Sequence, residues 1–209
     1  MATIKQTSIK ISTELGQKER ELKNKLQSFY NSRIKNSPMS LEQIKLKYGA
    51  QVENIIGQYV QDSWLFSNQI MQERIGDGSL LTGKDGQGIQ STTNKMIDSF
   101  WQTAFKLKNR ETEYKLSNNL ELVQLAPLST AAAMGAASAY FLYYTFNLAM
   151  MSKADELGLR IKLRFTVRDD CVDNIICLPL NGHMYDIGNV PYQPPLHKHC
   201  HCKLIPVLA

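Results

Sequence analysis

The sequence predicts an α+β protein: a mainly helical body over residues 1–156, then a small C-terminal β-hairpin module over 157–209 clipped together by cysteine and histidine side chains. Three observations carry this expectation. Apolar residues recur at steps of three and four through most of the first hundred positions, the period of an amphipathic helix. The pattern switches to alternation over 159–168, the period of a strand with one buried face. Every cysteine and histidine, namely Cys171, Cys177, His183, His197, His199, Cys200, His201 and Cys202, lies in the last 39 residues. With 209 residues, 43% of them hydrophobic and 21% charged, the chain has the composition of an ordinary folded protein, which excludes global disorder.

Leu15, Leu22, Leu26, Phe29 and Ile34 form the apolar stripe of a first helix that ends near Pro38. The net charge of +5 is uneven, because residues 1–48 hold ten Lys or Arg against four acids. Such a basic amino-terminal arm can meet phosphates or an acidic partner, or can simply be a solvated helix face. Ser40 followed by Gln43 is a capping-box signature, and Leu41, Ile44, Tyr48, Val52, Ile55, Ile56, Tyr59, Val60 and Trp64 continue the helical period to about Arg74. Gly49 and Gly57 weaken this second helix by about 1 kcal/mol each relative to alanine. Residues 76–88 carry five glycines in thirteen positions and read as a loop. They are not a phosphate cradle, since no strand precedes them and no Lys-Ser/Thr ending follows. Met96, Ile97, Phe100, Trp101, Ala104 and Phe105 mark a third helix, with Ser91 or Thr92 as its expected cap and the aromatic pair in the core.

Between Glu121 and Lys153 lie 31 residues without a charge, long enough to cross a bilayer as a helix. The run is as rich in Ala, Ser, Gly, Thr and Tyr as in Leu or Phe, Pro127 and Asn147 interrupt it, and no tight basic cluster flanks it. Ala131, Gly135 and Ala139 repeat at steps of four, which permits close helix packing in lipid or in a soluble bundle. A buried helix is therefore expected ahead of a membrane-spanning one. No apolar run follows Met1, so no cleaved secretory signal is expected, and a reducing cytosol favours metal over structural disulfides.

In the strand segment Leu159, Ile161, Leu163, Phe165 and Val167 alternate with Arg160, Lys162, Arg164, Thr166 and Arg168. One face packs, and the four cations on the other suit DNA phosphate or a carboxylate-rich partner; the competing reading is the solubility device of an edge strand. Asn181-Gly182 is a tight-turn dipeptide that leads into a returning strand at His183–Asp186. After Pro194-Pro195 come His197, His199, Cys200, His201 and Cys202, then a short apolar ending. Cys171, Cys177, Cys200 and either His197 or Cys202 offer tetrahedral zinc four donors that would pin the hairpin to the last strand as a structural site. Disulfides or reduced thiols are the alternatives. No serine elbow, helix-borne His-Glu pair or dinucleotide turn is present, so catalysis is not expected.

Thr166, Asp169, Asp170, Cys177, Gly182, Tyr185, Pro195, His197, Cys200 and Cys202 stand in an order that resembles the carboxy-terminal motif of the Mu F-like minor head proteins of tailed phages. The resemblance covers about residues 159–207. The chain departs from it where the family's Cys-x-x-Cys is spread to Cys171 and Cys177 with Asn174 between, and where His201 stands for the frequent Arg. The resemblance implies a virion protein made in the host cytoplasm and present in several copies in the head. It would act in head morphogenesis beside the portal, among other virion proteins and packaged DNA. A small zinc-stabilised nucleic-acid-binding protein and a membrane-interacting genome-delivery protein are the alternative readings.

Overall fold

A computed structural model describes residues 3–76, 86–116, 141–155, 161–168, 175–197 and 200–208. Helix α1, Ile4–Phe29, starts with a capping box in which the Thr3 hydroxyl accepts from Gln6 N and the Gln6 side chain accepts from Thr3 N. One π-helical turn, Tyr30–Ile34, extends it. Helix α2, Leu41–Ile75, begins at the Ser40–Gln43 capping box read from the sequence, with both reciprocal hydrogen bonds in place. It stops at Gly76, whose φ of 80° lies in the left-handed region that favours glycine and whose N–H returns to Gln72 O.

Helix α3, Gly86–Leu116, starts earlier than the expected cap at Ser91 or Thr92. The last three residues of the supposed glycine loop are helical, while 77–85 lie outside the described residues. The reason is a close crossing at Gly88, where an added Cβ would lie 2.5 Å from Trp64 Cη2. Thr92 is then interior and donates its hydroxyl to Gly88 O. Gly88→Ala should destabilise the fold by about 1 kcal/mol in thermal denaturation: helix propensity gains roughly 1 kcal/mol, but crowding the indole costs about 1–3.

Helix α4 covers 141–155 and buries Leu142, Tyr143, Phe146, Ala149, Met150 and Ala154. This part of the uncharged run is a buried helix, as expected; its Ala131, Gly135 and Ala139 lie outside the described residues. Among the described residues no helix is long and apolar enough to cross a membrane.

A three-stranded antiparallel sheet follows, in the order β2-β1-β3, with β1 Ile161–Thr166, β2 Met184–Asp186 and β3 Lys203–Leu208. β1 is thus the central strand, and the edge-strand explanation of its cations is corrected. Alternation reports that one face is buried but is silent on how many neighbours a strand has. The Asn181-Gly182 turn stands at the end of the β1–β2 connection, where Gly182 N–H donates to Phe165 O.

At about 1.5 Å per residue α1 and α2 are each too long for one core, and antiparallel packing lets them serve two. Leu22, Leu26 and Phe29 pack with Ile44, Val52, Ile56, Phe100 and Trp101 in one cluster. Ile11 and Leu15 join Phe66, Ile70, Tyr143, Phe146, Leu163, Phe165, Leu204 and three cysteines in the other. Helices and strands therefore share a core. The basic first helix is partly neutralised along this seam, since Lys18 lies 3.7 Å from Asp62 and Lys10 donates to both Glu73 oxygens at 2.6 and 2.7 Å. The Lys10 hydrogen bond holds the Glu73 carboxyl below its usual range. That contribution is present above the unfolded carboxylate range and is lost as pH falls through the folded value. Glu73→Gln should cost under about 1 kcal/mol at neutral pH in urea unfolding, because the pair is exposed, and the gap to the parent should close on acidification.

Candidate metal centre

Side chains alternate along the carboxy-terminal segment, and the alternation sorts its chemistry. His201 and Lys203 turn toward α1: His201 Nε2 lies 3.3 Å from Glu19 Oε2, with its ring edge-on to Tyr143, and buried Lys203 donates to Ser12 Oγ. Cys200 and Cys202 turn the other way, where Cys177 meets them.

Cys177 is delivered by a tight turn. Its carbonyl accepts from Leu180 N at 3.1 Å and leads into a 3-10 turn at Leu178–Leu180, with Pro179 supplying a preset backbone. Cys200 is held by a second turn, its N–H donating to His197 O at 3.1 Å. The three sulfur atoms lie within 4.8 Å of one another, all fully buried. Cys177 Sγ and Cys200 Sγ are 3.7 Å apart, and none of the three cysteines is in a disulfide. That separation matches the edge of a zinc tetrahedron, about 3.8 Å when each Zn–S bond is about 2.3 Å. The cluster is a tri-cysteine site that could hold a metal ion.

Its electrostatics favour ligation. The Cys202 thiol hydrogen-bonds to Cys200 and, against the cost of burial, holds the Cys200 thiol well below its usual range; backbone hydrogen bonds and Cys177 assist. Cys202 is pushed up by the same hydrogen bond and by burial. The pair therefore gives up its first proton readily, and the thiolate so formed is the species that binds metal.

Of the residues expected at this centre, Cys177, Cys200 and Cys202 come together. Cys171 lies outside the described residues, and half-buried His197 stands one turn from Cys200, its imidazole not within the group of three sulfurs. Of the four strand cations, Arg160 lies outside the described residues. Lys162 pairs with Asp186 at 3.4 Å, the Arg164 guanidinium lies over Gly182, and Arg168 is half-buried.

Asn147 is the residue whose part the sequence disguised. It stands inside α4 rather than interrupting it, and its amide clasps the tail: Nδ2 donates to Pro194 O at 3.2 Å and Cys202 O at 3.1 Å, and Oδ1 accepts from Leu204 N at 2.8 Å. Buried Arg74 donates from Nε to Pro206 O at 3.2 Å. Together these cap the outer edge of β3, where Pro206 lacks an N–H that would otherwise need a partner. The one available signal was a lone amide in an apolar helix, which must find hydrogen bonds when buried.

Comparison of the chain with protein-family models, with curated proteins and with solved structures finds no match.

Proposed function

We propose that this is a structural protein of a tailed-virus head, acting in head morphogenesis beside the portal, in several copies, with a zinc-clipped carboxy-terminal fold. The observation that supports it most is the convergence of Cys177, Cys200 and Cys202, three members of the tail motif, at one buried point. A zinc ion there would be structural. With a fourth protein donor from Cys171 or His197 the shell is closed and leaves no position for an activated water, so the reading is non-catalytic. The helical body supplies partner surfaces, and the clip fixes the strands on it. Mass spectrometry of nuclease-treated virus heads tests the assignment. The chain should be recovered at a fixed ratio to the portal; recovery only from the soluble fraction would oppose it.

A second reading, a zinc-stabilised nucleic-acid-binding protein, is favoured by the thiol cluster itself, since it needs only that site and nearby cations and no order of motif residues. Arg164, Lys162, Arg168 and the basic face of α1 would meet phosphate. Duplex-DNA affinity of the isolated chain should then fall steeply from low to moderate salt, and a sequence preference would favour this reading over the head protein.

A further inference from the structure

We infer that Cys177 and Cys200 are a redox-convertible pair, and that a disulfide between them takes over the cross-tie from the metal when the protein meets an oxidising medium. The inference rests on the metal-site reading for its reduced state only. Its geometric basis is the 3.7 Å Sγ–Sγ contact, which must close by roughly 1.7 Å to reach a disulfide length of about 2.05 Å.

The third thiol is the less suited partner on backbone grounds. Cys200 and Cys202 are alternate residues of an extended segment, whose Cα atoms stand roughly 6.6 Å apart at about 3.3 Å per residue, near the upper limit for bridging. The backbone at Cys202 is also pinned, because its carbonyl and the following Leu204 N–H are both held by Asn147. Cys177 sits in a turn whose preceding neighbours Ile175 and Ile176 are 88% and 58% exposed. The outer side of this turn faces solvent, so it is the side from which an oxidant can reach the Cys177 thiol.

A peroxide supplies the chemistry. One thiolate attacks a peroxide oxygen, the O–O bond breaks, and the leaving hydroxide takes up a proton to become water, which leaves a sulfenic acid. The partner thiolate attacks that sulfur; the S–S bond forms, the S–O bond breaks and a second water departs. Two thiols lose two protons and two electrons, and one peroxide becomes two waters. The metal loses two of its three described ligands and leaves, while the loop stays tied to the tail covalently.

The test uses the full chain, reduced, in metal-free and zinc-loaded forms, treated with hydrogen peroxide, alkylated and mapped by mass spectrometry, with zinc release followed by a chromophoric chelator. The expected product in both forms is a Cys177–Cys200 link, and in the zinc-loaded form one zinc is released per link formed. Cys202→Ser should keep the link and Cys200→Ser should lose it, circular dichroism reporting that each variant is folded. A dominant link through Cys171, a Cys200–Cys202 link, or sulfinic acids in place of a link would overturn the inference. If zinc never binds and the link still forms, the metal reading fails and the pairing stands. If zinc binds and no link forms, the pairing fails and the metal reading stands.

Discussion

Cys200→Ser is expected to abolish the zinc-dependent stabilisation of this protein. Zinc held at the tri-cysteine site of the parent, at a hundred times its dissociation constant, would add about 2.7 kcal/mol to the folded state. For a chain of this length that raises the melting temperature by roughly 5–10 °C. Cys200 is the cysteine whose loss should matter most, because its sulfur stands 3.7 Å from that of Cys177, which arrives from a different segment, and within 4.8 Å of that of Cys202. A serine hydroxyl keeps the size but neither ionises at neutral pH nor matches zinc's preference for sulfur. Affinity should fall by more than the 10–100-fold typical of losing an outer-shell partner. Chelator should lower the parent's melting temperature to that of the variant and leave the variant unchanged. Acidification should act in the same direction, since zinc competes with protons for the thiolates.

Asn147→Leu is expected to destabilise the protein strongly. Leucine suits the helix and has the same branched four-atom side chain, so no cavity is left and the loss reads out chiefly the hydrogen bonds. It strands Pro194 O, Cys202 O and Leu204 N–H in a buried environment. At about 1–3 kcal/mol for each unsatisfied group, partial relaxation leaves a loss of roughly 3–6 kcal/mol, a large share of the 5–15 typical of whole domains. Asn147→Asp should not rescue it, because the carboxylate still accepts from Leu204 but faces two carbonyl oxygens. Urea unfolding gives the magnitude, and hydrogen exchange at the Leu204 amide gives the location. Exchange there should rise toward that of an exposed amide, while amides deep in α2 near Val52 and Ile56 should change only by the global loss.

Local chemistry was legible in the sequence and long-range chemistry was not. The Ser40–Gln43 cap could be read because its partners are three residues apart, and the helical stripes and the strand over β1 could be read because periodicity reports burial of a face. The start of α3 was hidden because what admits Gly88 into a helix is an indole from α2, not anything in its own segment. Asn147 resembled a helix breaker because its partners are 47, 55 and 57 residues away, and an amide in an apolar run has the same local signature whether it breaks a helix or clasps another segment. The crowding of cysteines and histidines in the tail announced a cross-tie. Which of them converge was decided by two turns and by the alternation that sends Cys200 and Cys202 to one side and His201 to Glu19 on the other.

The measurement that bears most directly on this account is zinc-edge X-ray absorption on the chain purified under reducing conditions without added metal. It should find one zinc per chain with at least three sulfur neighbours at about 2.3 Å. A chain without zinc, or zinc bound only by nitrogen and oxygen, would contradict a clip built on Cys177, Cys200 and Cys202.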